Sequence, residues 1–177
     1  FLRQLTKALE DPLKGAVISE CFSQNREELI VRFETIKNSF FIRASLLPEF
    51  TCLSFPGDFN RARKNSIDLF TGATGLRVVS VRQFINERSF AFELTGNKAL
   101  LFKMHGNRAN IIFYENGEAA EMFKKTMTAD WRIRLQDLDR TIDWSYENFK
   151  ANEHKLKSAY FTFGKLIWAW LDEANFS

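Results

Sequence analysis

The sequence predicts an α+β domain: two antiparallel β meanders packed as a sandwich or flattened barrel, with N-terminal, inter-repeat and C-terminal helices. Three observations lead there. Apolar residues alternate with period two over residues 16–46 and again over 76–115, the pattern of strands with one buried face. The two stretches align at a constant spacing of 61 residues, Val17 with Val78, Ser19 with Ser80, Asn25 with Asn86 and Leu29 with Phe90. That is either a degenerate internal duplication or the chance likeness of two amphipathic meanders. Finally, 19 Phe against 3 Tyr and 4 Trp require a large, dry, interdigitated core.

The elements follow in order. Leu2, Leu5, Ala8 and Leu9 recur at helical spacing until Asp11-Pro12 ends the pattern. Strands are expected at 17–22, at Leu29, Val31 and Phe33, and at Phe40, Ile42, Ala44 and Leu46. The stretch 59–70 reads as an inter-repeat helix carrying Arg61, Arg63 and Lys64. The second meander occupies 76–81, then Phe90, Phe92 and Leu94, then Leu100, Phe102 and Met104, then 110–114, closed by the hairpin dipeptide Asn116-Gly117. Beyond Gly117 the pattern reads as helical throughout, ending in one apolar stripe over 156–174. Residues 1–150 form the sandwich domain on this reading, and 151–177 is a helical segment that begins a further helical region of a longer protein.

Composition narrows the classes. A length of 177 residues fits one domain, and 45% hydrophobic with 27% charged residues, 8 Gly and 3 Pro exclude a disordered or fibrous chain. A formal charge of +3 does not announce a nucleic-acid binder, though an uneven distribution can still build a basic face. No run of 18 apolar residues suggests a membrane span. The two cysteines, Cys21 and Cys52, and the two histidines, His105 and His154, lack zinc-site spacing. Two free thiols in the apolar part of the sheet suit a cytoplasmic protein, with a single disulfide the lesser alternative.

No enzyme emerges from the chemistry-bearing residues, and no cofactor or metal is expected. The paired carboxylates read as solvated faces, neither histidine belongs to a GxSxG-type elbow, and the phosphate-loop pattern is absent. Two polar turns stand out. Residues 103–110 bring Lys103, His105, Asn107, Arg108 and Asn110 between two strands, where donors can meet phosphates or base edges, or serve as an ordinary hairpin connection. In the turn at Asn86, Glu87 can hold the Arg88 guanidinium ready for a phosphate, or the two can form a plain surface ion pair.

Around these turns the chain resembles a known family. Arg61-Ala-Arg-Lys-Asn, the strand Val78-Val-Ser-Val-Arg-Gln with its following Glu87-Arg88, and Met104-His-Gly-Asn-Arg-Ala-Asn are similar to the N-terminal domain of the NFACT proteins, often described as fibronectin- or fibrinogen-binding. The resemblance spans roughly residues 5–150. It implies a fold similar to the N-terminal domain of formamidopyrimidine-type DNA glycosylases. It also implies a ribosome-quality-control factor that binds tRNA and the large ribosomal subunit carrying stalled peptidyl-tRNA, with RNA contacts at Glu87, Arg88, Arg61, Arg63, Lys64, Lys103, Asn107 and Arg108. The family's acid-Arg pair has Asp where this chain has Glu87, which alters its reach and leaves tail elongation open. A surface adhesin and an inactive glycosylase-like nucleic-acid-binding domain are the alternatives. An active glycosylase of that type needs an N-terminal Pro followed by Glu and a zinc finger, and this sequence has neither pattern.

Overall fold

The computed structural model describes residues 2–174. Phe1 and the last three residues of the segment expected over 151–177 lie outside the described residues. An opening helix α1 (Leu2–Leu13) precedes β1 (Val17–Ser23), β2 (Glu28–Glu34), β3 (Ser39–Leu46), β4 (Thr51–Ser54) and β5 (Ile67–Asp68). Then come β6 (Val78–Gln83), β7 (Ser89–Leu94), β8 (Lys98–Lys103), β9 (Asn110–Glu115) and β10 (Glu118–Met122). Short helices α2 (Tyr146–Ala151), α3 (Leu156–Ala159) and α4 (Lys165–Glu173) follow.

The strands form two five-stranded antiparallel sheets, ordered β4-β3-β2-β1-β5 and β10-β9-β8-β7-β6. The α+β sandwich therefore stands, and the flattened barrel does not. Among the described residues one isolated bridge, Val17 to Arg77, ties the sheets at a corner, where Val78 N also donates to Ala16 O at 2.8 Å. The 61-residue spacing has a structural counterpart. In each sheet the leading strand carries a bulge, and a serine beside it donates to a glutamate on the next strand, Ser19 Oγ to Glu34 at 3.4 Å and Ser80 Oγ to Glu93 at 2.5 Å.

The main core lies between the sheets. Leu29, Val31, Phe33, Ile42 and Ala44 face Phe90, Phe92, Leu100, Phe102 and Ile111, each fully buried. Phe33 meets Phe92 across the sheets at 5.2 Å, and Phe92 stands edge-on to the stacked pair Phe90 and Phe102. Burying one such ring contributes roughly 1.5–3 kcal/mol. Helix α1 buries Thr6, Leu9 and Leu13 and packs on β6 and β7. It runs through Pro12 to Leu13, one turn further than expected, because a proline in the last turn sacrifices only one helical N–H.

Both sheets are also covered on their outer faces, which is why β2, β7, β8 and β9 are apolar on both sides. Phe59 covers Phe22 and Phe41. Ile133, Leu135 and Leu138 cover Phe84, Leu101, Ile112 and Met122, with Tyr114 Oη donating to Ile133 O at 3.0 Å.

Three helical expectations are corrected. Residues 59–70 form an irregular cover ending in β5, since Phe59 is pinned against the sheet and Asn65 takes φ +59°, outside the helical range. After Gly117 the chain does not turn helical, because the Asn116-Gly117 turn folds it back onto β9 as β10, and 3-10 turns carry it to residue 137. The stripe over 156–174 is two helices broken at Gly164. Tyr160, Phe163 and Trp168 converge beside Trp144, while Leu166, Ile167 and Trp170 stay exposed. No described helix is long and apolar enough to cross a membrane.

Candidate functional site

The turn joining β6 to β7 is fixed from several directions. Asn86 takes the left-handed conformation at φ +54°, which Asn tolerates better than most residues. Gln83 Nε2 donates to Phe84 O at 2.8 Å and to Glu87 O at 3.3 Å. On the far side Asp139 accepts from Ile85 N at 2.7 Å, a bond that, with the Arg82 guanidinium, holds its carboxyl below the usual range. Asn86 Nδ2 donates to Arg140 O at 2.7 Å.

The β8–β9 connection lies against this turn. Met104 N donates to Arg88 O at 2.8 Å, and His105 Nε2 lies 2.5 Å from Glu87 Oε1 and 3.3 Å from Ser89 Oγ. Glu87 also accepts from the Arg88 backbone N–H at 3.1 Å. Its carboxylate is thus occupied by the imidazole and a main-chain donor, and no described carboxylate pairs with the Arg88 guanidinium. The expected Glu87-Arg88 side-chain pair does not form.

Two adjoining hollows open around Arg88, between α1, β4 and the turn. One, of about 470 Å³, has an apolar wall of Leu2, Leu5, Leu53 and Met104, with Cys52 beside it. The other, of about 490 Å³, is lined by Arg3, Lys7, Asn86 and Arg88. Arg3, Gln83, Glu87 and Arg88 border both. Among the described residues Arg3, Lys7 and Arg88 make no ion pair, and the one carboxylate in either lining is the engaged Glu87. Such a crevice can take an anion against the cations and an apolar or planar group against the wall.

The other candidate residues separate. Arg61 is held by Asp68 at 2.7 Å and by Ser66 at 2.7 Å, and lies 4.6 Å over the Phe22 ring. It staples the loop to β1 and β5. Half-buried Lys103 pairs with the buried Asp130 at 2.6 Å, and Asp130 also accepts from Asn110 at 2.9 Å. Both cations are engaged in ion pairs with the chain's own carboxylates. Arg63, Lys64, Asn107 and Arg108 are exposed and line neither hollow. Arg3 and Lys7 were not singled out from the sequence, although their i, i+4 spacing on the polar side of α1 was the available signal.

Three solved structures share this arrangement of sheets and helices. The N-terminal domain of the fibronectin-binding protein PavA of Streptococcus pneumoniae superposes with a TM-score of 0.63 at 15% identity, covering 88% of this chain and 68% of that one. The N-terminal part of a fibronectin/fibrinogen-binding protein of Streptococcus suis gives 0.62 at 17% identity, covering 82% and 60%. The fibrinogen-binding protein of Staphylococcus aureus gives 0.60 at 13% identity, covering 82% and 56%. The chain has their fold. At this identity the likeness extends to architecture alone, and the chain spans 56% to 68% of the length of those structures. No family model matches the chain, and no curated protein sequence does. The described residues hold no cluster of His, Cys, Asp and Glu suited to a metal ion.

Proposed function

We infer that this chain is a non-enzymatic RNA-binding module of a cytoplasmic ribosome-quality-control factor, engaging tRNA and the large ribosomal subunit. The observation that supports this reading is the crevice at Arg88. Arg3, Lys7 and Arg88 line it without carboxylate partners, and its one acid is turned toward His105. Unpaired guanidinium and ammonium groups around a concave surface suit phosphates, and the apolar wall beside them suits an unstacked base.

The test is binding of purified tRNA and of isolated large subunits across a salt series. Affinity should fall steeply with salt as counterions are released. Arg88→Ala and Arg88→Lys should both weaken tRNA binding, by roughly 1–3 kcal/mol for the alanine, because lysine lacks the planar fork. Their melting transitions should match the parent's, since Arg88 is exposed and bound through its backbone alone. Salt-independent binding, or none, sinks the reading. The names of the three solved structures support an adhesin weakly. Capture of the chain by immobilised fibronectin or fibrinogen, unaffected by Arg88→Ala and without tRNA binding, would favour that alternative.

A further inference from the structure

A second cationic hollow lies at the opposite end of α1 from the crevice. It measures about 450 Å³ and opens between the end of α1, the β2–β3 turn and Arg77, with Lys14, Lys37 and Arg77 in its lining and Asp11 as its one acid. Arg77 Nη1 donates to Gly15 O at 2.7 Å, and no described carboxylate pairs with Arg77, Lys14 or Lys37. Phe40 and Ile36 supply an apolar side. Nothing in the fold requires three cations there, since Lys14 and Lys37 are exposed and bind no protein group through their side chains.

The two hollows are joined by the solvent face of α1. Arg3 and Lys7 stand on one row at i, i+4, and Asp11 and Lys14 continue it past the helix end. Arg3 at the crevice and Lys14 at the second hollow are eleven residues apart, roughly 16 Å along the helix axis at about 1.5 Å each. That distance corresponds to about five stacked nucleotides at roughly 3.4 Å each. Each end carries three cations against one acid, Glu87 at the crevice and Asp11 at the second hollow, so attraction is concentrated at the two ends.

The geometry points to α1 as a track for a continuous RNA backbone, with phosphates held at the Arg3–Lys7–Arg88 crevice and again at the Lys14–Lys37–Arg77 hollow. This rests on the RNA reading of the crevice and extends it to a second, separate site. A free phosphate would fill one hollow and gain nothing from the other. A linear polyanion long enough to reach both gains from each, and its salt dependence counts the contacts.

The experiment uses the double variant Lys14→Ala/Lys37→Ala, whose melting should be unchanged, and two single-stranded oligoribonucleotides. One is a trinucleotide, too short to reach both ends, and the other a dodecanucleotide. For the parent, the longer strand should bind more tightly and with the steeper slope of log affinity against log salt. The double variant should lower that slope by about 1.4, at about 0.7 for each single-strand phosphate contact, and bring the longer strand close to the trinucleotide. Parent-like affinity and slope for the dodecanucleotide overturn the track. If Arg88→Ala still weakens binding in that case, the crevice stands and the track alone falls. A parent that binds neither strand overturns both.

Discussion

His105 Nε2 lies 2.5 Å from Glu87 Oε1, so the acid that adjoins Arg88 in sequence is engaged by an imidazole from a different hairpin. Burial, aided by the Lys103 and Arg108 charges, holds His105 below the ordinary imidazole value, although the Glu87 carboxylate pulls the other way. The ring is then neutral in the folded protein near neutral pH. Two lone pairs cannot face each other at this distance, so Nε2 carries the proton and donates to Glu87.

A pH dependence follows with a definite sign. The folded pKa of His105 lies below the unfolded value of about 6.5, so its contribution to stability is complete above that pH and declines as pH falls below it. Urea unfolding across this range should show the decline in the parent. His105→Gln, which keeps a donor but does not titrate, should have a flatter profile. Equal slopes for the two proteins would remove His105 from the linkage.

Glu87→Asp should destabilise, even though it restores the residue found in the resembled family. Its carboxylate would be one methylene short of serving both His105 and the Arg88 N–H, and the side chain is only 10% exposed. The loss should be about 1 kcal/mol by thermal or urea melting. A neutral result would mean that the turn relaxes to follow the shorter acid.

Lys103→Met should cost roughly 3–5 kcal/mol, since it leaves the Asp130 carboxylate, 6% exposed, without its ammonium partner. Adding Asp130→Asn to that variant should recover most of the loss, because no unpaired charge then stays buried. Urea midpoints of both variants measure this. A mild Lys103→Met, accompanied by weaker RNA binding, would instead restore Lys103 as an RNA contact.

Thiol reactivity should distinguish the two cysteines. Both are free, Cys21 is buried and its thiol is pushed well above the usual range, while Cys52 is half-buried and borders the apolar hollow. A thiol reagent should modify one group in the native protein and two after unfolding. A bulky adduct on Cys52 should also block tRNA binding at the crevice, and undiminished binding would place the RNA elsewhere.

Period-two alternation and the 61-residue spacing by themselves determined the two meanders, because a half-buried strand writes its register directly into its residues. The Phe count likewise announced the core. Tertiary structure alone decided which cations remain available. Arg61 and Lys103 look like Arg88 in sequence, yet Asp68 at the end of the same loop neutralises the first and Asp130 from a distant segment the second, while Glu87 turns away from the third. The loop over 59–70 shows the same limit, since a ring seated on Phe22 outweighs local helical spacing. The crevice was illegible for the same reason: α1, β4 and the β6–β7 turn meet only after the sheets have packed, and local sequence records neither which charges are paired nor which surfaces face each other.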